Sequence, residues 1–308
     1  MSLFASSSAS FQPVISEVVN EVDQQAFAGQ RILPVLSSSV RKGKYVLVKS
    51  NQFDNDISKP RAAGSNFAST TGEYEAATFE CVEYGVENSL DDIDIAEAET
   101  DAQLDITSVA AQQLANDLAV GHEIRVANAL SGAGFNSTAA TAAMSAASTA
   151  TPIADVNNAV MRLNASGIFA GINLVIEASL YQEMLQTDDM RNLINGSGMV
   201  AWAEDQVARV LGVDGVVVCN SRYNSAKKGA AASRSSIWPT SSFYVASLAG
   251  GPLSNGGIGR TMAYTARGGV YAAETYRTEQ PPANVVRVRM HTDEIISNAA
   301  AGETITGA

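Results

Sequence analysis

The sequence predicts an α+β fold that combines one extended hairpin, one unusually long helix and a compact α/β unit. Three observations support this prediction. Two alternating β segments flank a polar stretch at residues 51–72, a segment with a helical apolar stripe follows, and helices then alternate with continuous apolar segments over residues 153–265. The chain has 308 residues, of which 46% are hydrophobic and 17% charged, and this composition is typical of a folded protein with a substantial core.

The overall charge narrows the possible functions. The net charge is -12, and a strongly acidic protein repels the phosphates of nucleic acid, which argues against sequence-specific DNA binding. The same repulsion suits the inner wall of a container for DNA. The two cysteines, Cys81 and Cys219, are too few for a disulfide scaffold or a thiolate metal site, and they fit synthesis in a reducing cytoplasm. We expect neither a signal peptide nor a membrane span.

The first forty residues are predicted to be an arm with little regular structure. Residues 1–10 are mostly Ser and Ala. Val18, Val22 and Phe27 recur at roughly helical spacing and predict a short helix that ends near Gly29. Pro34 then favours an extended chain.

Residues 41–70 form what we call the basic finger, because they hold six basic residues and two acidic ones. The segment "KYVLVKS" predicts a strand over Lys44–Ser50, and a second alternating strand starts near Tyr74. A polar loop this long inside a compact protein is usually functional. The basic residues of the finger are Arg41, Lys42, Lys44, Lys49, Lys59 and Arg61.

An acidic segment follows the finger directly. Residues 62–124 contain fourteen Asp and Glu residues and no Lys or Arg. From Asp92 to about Leu130 the apolar spacing predicts a long helix, and "DIAE" at Asp94–Glu97 predicts a capping box. The polar composition favours a surface rod over a buried helix. Acidic residues cluster near the start of this helix, at Asp91, Asp92, Asp94, Glu97, Glu99 and Asp101.

The finger and the acidic segment suggest contacts between copies of the chain. The acidic segment holds no positive charge of its own, and a projecting hairpin reaches a second copy more easily than its own rod. We therefore take the six basic residues of the finger and the six acidic residues near the helix start as candidate contacts between subunits. The alternative is a flexible surface loop without a partner.

The second half of the sequence predicts the α/β unit and its return to the long helix. Residues 154–167 predict a helix, "INLVIEAS" a buried strand, residues 180–194 a helix, "VARVLGVDGVVVCN" a turn into a buried strand, and "SSFYVASL" a third strand. Residues 269–297 alternate strongly around a Pro-Pro turn and predict strands that pack on the long helix.

No segment of the sequence predicts a catalytic, cofactor or metal site. His122 and His291 are isolated, and the acidic run near Asp91 lacks the glycine and the spacing of a calcium loop. The glycine-rich "GGIGR" predicts a turn. An enzyme of the α/β hydrolase type, with the finger as a flexible lid, stays open as an alternative, although the adjacent Asp188 and Asp189 would point apart on a helix.

This order of parts resembles the major capsid proteins of tailed bacteriophages, which have the Hong Kong 97-type capsid fold. The stretch "ASLAGGPLSNGGIGRTMAYTARGGVYAAETYRTEQ" and the ending "NVVRVRMHTDEIISNAAAGETITGA", with its G-x-x-I-T-G close, strengthen the resemblance. It implies an N-terminal arm, a long hairpin called the E-loop, a spine helix with a connector in the P-domain, an A-domain, and C-terminal strands that return to the P-domain. The corresponding residues are 1–40, 41–91, 92–152, 153–265 and 266–308.

The resemblance implies a structural protein and not an enzyme. Such a protein assembles into pentamers and hexamers of an icosahedral phage head around double-stranded DNA, with the A-domain loops at 195–200 and 222–234 facing the capsomer axis. The implied partners are other copies of the chain, a separate scaffolding protein, a portal, a decoration protein, and packaged DNA bound without sequence specificity, with no membrane and no cofactor. The protein would be made in the bacterial host cytoplasm and end in the virion. An encapsulin-like compartment shell is the alternative within this fold.

Overall fold

The computed structural model describes residues 10–11, 27–48, 60–61, 64–67, 74–97, 105–197, 203–227, 230–248, 250, 256–265, 269–280 and 282–308. The strands are β1 Ser10–Phe11, β2 Val35–Ser38, β3 Lys42–Val48, β4 Tyr74–Glu80, β5 Val82–Asp91, β6 Asn136–Ala139, β7 Ile172–Glu177, β8 Gly215–Cys219, β9 Arg222–Asn224, β10 Arg234–Ser236, β11 Ser242–Ser247, β12 Gly259–Tyr264, β13 Tyr271–Glu279, β14 Pro282–Ile296 and β15 Gly302–Thr306. The helices are α1 Gly29–Ile32, α2 Asp92–Glu97, α3 Ile106–Ser131, α4 Pro152–Ala165, α5 Ala178–Gln186, α6 Asp188–Ser197 and α7 Glu204–Leu211. In these described ranges, no helix is long and apolar enough to cross a membrane.

Strand β14 is the centre of a six-stranded sheet. Its residues 283–290 pair antiparallel with β5 on one edge and with β13 on the other. Strand β12 continues the β13 edge along residues 292–296, β2 pairs parallel with β12, and β1 pairs with β13. The predicted C-terminal strands are confirmed, and Glu279 lies opposite Pro282 across their turn. The extended segment expected after Pro34 is also confirmed, as β2.

A five-stranded sheet forms the α/β unit, in the order β6, β15, β11, β7, β8. One face packs against α4, α5 and α7 through a core that includes Leu163, Leu180, Leu211 and Phe243. The other face packs against α1 and the second half of α3, where Leu33 and other apolar residues are buried. The sheet is therefore covered on both faces, which explains the continuous apolar runs of β7 and β8.

Helix α3 connects the two sheets. Asp105 caps its first turn and accepts hydrogen bonds from the backbone N of Thr107 (3.0 Å) and Ser108 (3.2 Å). Its 26 residues extend about 39 Å at 1.5 Å per residue. Leu114 in the first half packs on the six-stranded sheet, and Leu130 in the second half packs on the five-stranded sheet.

The surface rod predicted from Asp92 to Leu130 is wrong in two respects. Helix α2 ends at Glu97 and α3 begins at Ile106, and the "DIAE" segment lies inside α2. One face of α3 is also buried along its whole length. Much of that face consists of small side chains, which contribute little to a hydropathy pattern but allow close packing: Ala110, Ala111, Ala115, Ala119 and Ala127.

Strands β3 and β4 pair antiparallel, as the sequence predicts for the two sides of the finger. The base of this hairpin is fixed to the body by a small core of Phe79, Cys81, Met262 and Ile295. The backbone N of Glu80 also donates to Asp293 Oδ2 at 2.8 Å. Residues 82–91, predicted as part of the same hairpin, instead form β5 of the six-stranded sheet.

Several elements of the second half differ from the sequence prediction. "VARVL" belongs to helix α7, which Gly212 ends with a φ of 69°, and the predicted helix over 180–194 is divided at Thr187 into α5 and α6. The turn predicted at "GGIGR" leads directly into β12, whose first residue is Gly259. The predicted connector contains β6, and the final strand β15 joins the five-stranded sheet beside β6 instead of the six-stranded one. The helix predicted to end at Gly29 falls largely outside the described residues, and α1 begins at that glycine.

Candidate assembly surface

The base of the basic finger makes contacts within its own chain. Arg41 Nε donates to the carbonyl oxygen of Cys81 at 3.0 Å. Lys42 Nζ lies 2.6 Å from Glu80 Oε1, across the pair of strands β3 and β4. Two of the six predicted contact residues of the finger therefore have partners in the same molecule, and exposed pairs of this kind contribute about 0–1 kcal/mol.

Farther along, the finger presents a cation beside an aromatic ring. The guanidinium carbon of Arg61 lies 4.6 Å from the ring centroid of Phe67, whose side chain is 77% exposed. Lys44 is exposed on β3. A large exposed aromatic ring next to positive charge is a suitable contact for another chain. Lys49 and Lys59 lie outside the described residues.

The acidic residues near α2 also have partners within the chain. Asp91 Oδ1 accepts the backbone N–H of Ile93 at 2.9 Å, and Asp92 Oδ2 lies 2.7 Å from Arg277 Nη2. Asp94 is exposed. The described part of the structure does not include the Glu97 side chain, Glu99 or Asp101.

A row of charge pairs crosses the outer face of the six-stranded sheet. Arg287 lies opposite Glu87 in the β5–β14 register, with Nη2 2.9 Å from Oε2. Hydrogen bonds from Arg287 and Tyr276 hold the pKa of Glu87 below its usual range. Arg289 donates to Glu83 Oε1 at 3.1 Å. The two Glu and two Arg side chains of this row line an open groove of about 420 Å³.

This row corrects one premise of the sequence argument. The acidic segment has no Lys or Arg of its own, and its counter-charge was expected from the basic finger. Arg277, Arg287 and Arg289 of the C-terminal strands instead supply part of it within the same molecule. The two partners of each pair are about two hundred residues apart in sequence, so only strand register brings them together. The acidic residues that stay candidates for contacts with another copy are those beyond this row, from Asp94 onward.

Glu123 joins three parts of the chain in the interior. It is fully buried, and its carboxylate accepts hydrogen bonds from the backbone N of Ala28 (3.1 Å) and Gly29 (2.7 Å). It also accepts from Ser221 Oγ (2.9 Å) and from Trp238 Nε1 (2.7 Å). A buried carboxylate that accepts four hydrogen bonds fixes the positions of the three segments that supply the donors. Nothing in the local sequence of α3 marks this residue, because its partners come from distant segments.

His122 is a buried, neutral side chain beside Glu123. Its Nε2 lies 3.3 Å from Thr261 Oγ1 and 3.6 Å from Glu294 Oε1. Burial, with a smaller contribution from Arg125, lowers the pKa of His122 to about 4. The ring therefore has a structural position between α3 and β12, as the sequence argument favoured.

Acid is expected to destabilise the protein through His122. The unfolded side chain binds a proton below pH 6.5 and the folded one only below about 4, so the free energy of unfolding falls as the pH drops between these values. The expected loss is about 3 kcal/mol, and this group has no effect above pH 6.5. Chemical unfolding of wild type and His122→Gln from pH 7 to 4 measures it. Equal slopes in wild type and His122→Gln would contradict the assignment.

In the part of the chain that the structure describes, no three His, Cys, Asp or Glu side chains cluster as a metal site. Asp188 is exposed at the start of α6 and Asp189 is half-buried, and no histidine lies near either of them in sequence.

Comparison with known proteins identifies the fold. No protein family and no curated protein matches the amino-acid sequence. Among solved structures, a phage-related protein from Bordetella bronchiseptica RB50 is 17% identical with a TM-score of 0.74, and the alignment covers 97% of this chain and 98% of that one. The capsid structure of cyanophage P-SCSP1u is 15% identical with a TM-score of 0.58, over 100% of this chain and 91% of that one. The chain has the fold of a phage capsid protein.

The capsid fold also occurs in a virus-like particle from Pyrococcus furiosus, which is 12% identical with a TM-score of 0.57 and aligns over 94% of this chain and 95% of that one. These alignments extend over nearly the whole length of both partners. The resemblance noted in the sequence is confirmed at the level of fold.

Proposed function

We propose that this protein is a major capsid protein, which assembles into pentamers and hexamers of an icosahedral phage head around double-stranded DNA. The observation that carries this proposal is the similarity to a cyanophage capsid over the full chain. The exposed Arg61 and Phe67, which lie between β3 and β4, support it, because a shell subunit needs exposed surface that can contact other subunits.

The assembly contacts that we propose involve the far part of the finger. Lys44, Lys49, Lys59 and Arg61 of one copy would lie near the acidic residues of a second copy from Asp94 to Asp101. Each exposed ion pair contributes about 0.2–1 kcal/mol, and a closed shell repeats every pair many times. Portal, scaffolding and decoration proteins are further partners of the proposed shell.

Charge reversal in the finger tests these contacts. The triple variant Lys49→Glu, Lys59→Glu, Arg61→Glu is expected to stay folded, with an unchanged melting temperature, and to form no closed particles. The matched control Lys49→Arg, Lys59→Arg, Arg61→Lys keeps the charge and should assemble like wild type. Negative-stain electron microscopy and size-exclusion chromatography, with and without a scaffolding protein, give the readout. Normal particles from the triple Glu variant would refute these contacts.

The content of the particles separates the proposed head from the compartment alternative. A phage head is expected to contain nucleic acid, whereas an encapsulin-like shell would contain protein cargo. The ratio of absorbance at 260 and 280 nm in particles from the native source distinguishes them. A monomer that turns over an ester or glycoside substrate would instead favour the hydrolase alternative.

A further inference from the structure

The residues that follow strand β8 form a basic projection on an acidic chain. Residues 215–273 hold six Lys and Arg residues and no Asp or Glu, whereas residues 178–214 hold six acidic residues and two Arg. Four of those six cations lie within residues 222–234. We call residues 222–236, which contain β9 and β10, the arginine hairpin. A cluster of positive charge without neighbouring acidic residues favours binding to a negatively charged partner.

The strand register places the two arginines of this hairpin on one face. Arg234 lies opposite Asn224, and Asn224 is two residues from Arg222. Residues two apart on a strand share a face, and so do directly opposed residues on paired strands. Tyr223 therefore projects from the other face. Both arginines are exposed, and neither makes an ion pair within the described part of the chain.

The base of the arginine hairpin is held firmly. Ser221 precedes β9 and Trp238 follows β10, and both donate to the same buried oxygen of Glu123. The backbone N of Ile237 also donates to the carbonyl oxygen of Ser221 at 3.2 Å. The base of the hairpin is thus fixed to the core, and a surface that is already ordered loses little conformational entropy on binding.

Unpaired acidic residues lie at the same end of the α/β unit. Strands β7 and β8 are parallel, so α5 and the arginine hairpin, which follow these strands, both begin at the carboxyl ends of the strands. Helix α7 packs against β8, and the short turn at residues 212–214 joins the last residue of α7 to the first residue of β8. The helix therefore runs back along the strand, and its first residues lie near the carboxyl end of β8, where the arginine hairpin begins. These residues, Glu204 and Asp205, are exposed and make no ion pair among the described residues.

We propose that the arginine hairpin of one copy binds the start of helix α7 on a second copy. This inference rests on the proposed function, since it names a contact by which capsid subunits associate. The two surfaces differ and lie on the same chain, so the contact is head to tail, the kind that closes into rings. A second copy is a better partner than DNA, because the rest of this chain carries a large negative charge that repels phosphate.

A charge-swap experiment on the full chain tests the contact. One variant carries Arg222→Glu and Arg234→Glu, a second carries Glu204→Lys and Asp205→Lys, and a third carries all four changes. The first two are expected to weaken self-association about tenfold or more, measured by sedimentation velocity in low salt, and the fourfold variant is expected to recover it. Arg222→Lys with Arg234→Lys is the matched control and should associate like wild type. Melting temperatures check that every variant is folded.

The outcomes separate this inference from the proposed function. If each double variant associates like wild type, or if the fourfold variant is no stronger than either of them, the inference is wrong while the capsid proposal stands. If the Arg-to-Glu variant assembles normally but its particles lose nucleic acid, the hairpin binds nucleic acid and not a second copy. A wild-type chain that stays monomeric under every condition overturns both.

Discussion

Replacing Glu123 with alanine is expected to lower the free energy of unfolding by about 3–5 kcal/mol. The carboxylate is fully buried, and its removal leaves the backbone N–H groups of Ala28 and Gly29 without their acceptor, while Trp238 Nε1 keeps only Ser221 Oγ, at 3.1 Å. Each buried donor without a partner costs about 1–3 kcal/mol before the site relaxes. Urea unfolding followed by circular dichroism measures the change.

The matched control is Asp117→Ala, on the exposed face of the same helix, which should change stability by about 0.5 kcal/mol or less. Because Glu123 joins the arm, the long helix and the base of the arginine hairpin, limited proteolysis should also cut Glu123→Ala faster near Arg31 and Arg222. A variant as stable and as resistant to protease as Asp117→Ala would show that this junction is unimportant.

Gly259→Ala is expected to lower the free energy of unfolding by about 3 kcal/mol. A Cβ at this position would lie 2.1 Å from the carbonyl oxygen of Ile295 and 3.0 Å from the Cα of Ile296. Both are backbone atoms of β14, so relief of the clash requires separation of β12 from the central strand. Thermal and chemical unfolding measure the loss, and hydrogen exchange should locate it in β12 and the adjacent β2.

The control for this substitution is Gly121→Ala in the middle of α3. A Cβ there meets only Arg125 Nη1, at 3.6 Å, which is ordinary contact. Alanine is the better helix former, and we expect a gain of about 0.5–1 kcal/mol. If the two alanine variants changed stability by similar amounts, the close approach of β12 and β14 would be excluded as the cause.

The parts of the fold with a clear period were predictable from the sequence. The alternation around the Pro-Pro turn gave the C-terminal strands, and the continuous apolar run after Gly171 indicated a strand buried on both faces. Short strands such as β6 and β15 have no pattern of their own, because their position depends on neighbours from distant parts of the chain. Gly212, which has a left-handed backbone conformation, was a local signal for the end of α7. The apolar residues on both sides of it obscured this signal.

The charge pattern was informative about the candidate surfaces but ambiguous about their partners. The distribution of charge along the chain indicated the basic finger as a candidate contact, which stays a prediction, and it could not show that Arg287 faces Glu87 across two strands. The arginine hairpin had an equally simple signal, the absence of acidic residues from 215 to 273. Glu123 had no signal in the sequence, because a buried glutamate on a helix is recognisable only from the hydrogen-bond donors that surround it.

The position of β15 has a consequence for biosynthesis. This strand lies inside the five-stranded sheet, between β6 and β11, although the ribosome makes it after every other strand of that sheet. Until it is inserted, β6 has no neighbour in the sheet and one edge of β11 is open, so the unit that carries the arginine hairpin is unfinished. A chain truncated by incomplete translation would lack this element, and the proposed shell would then be built only from subunits whose synthesis had run through residue 306.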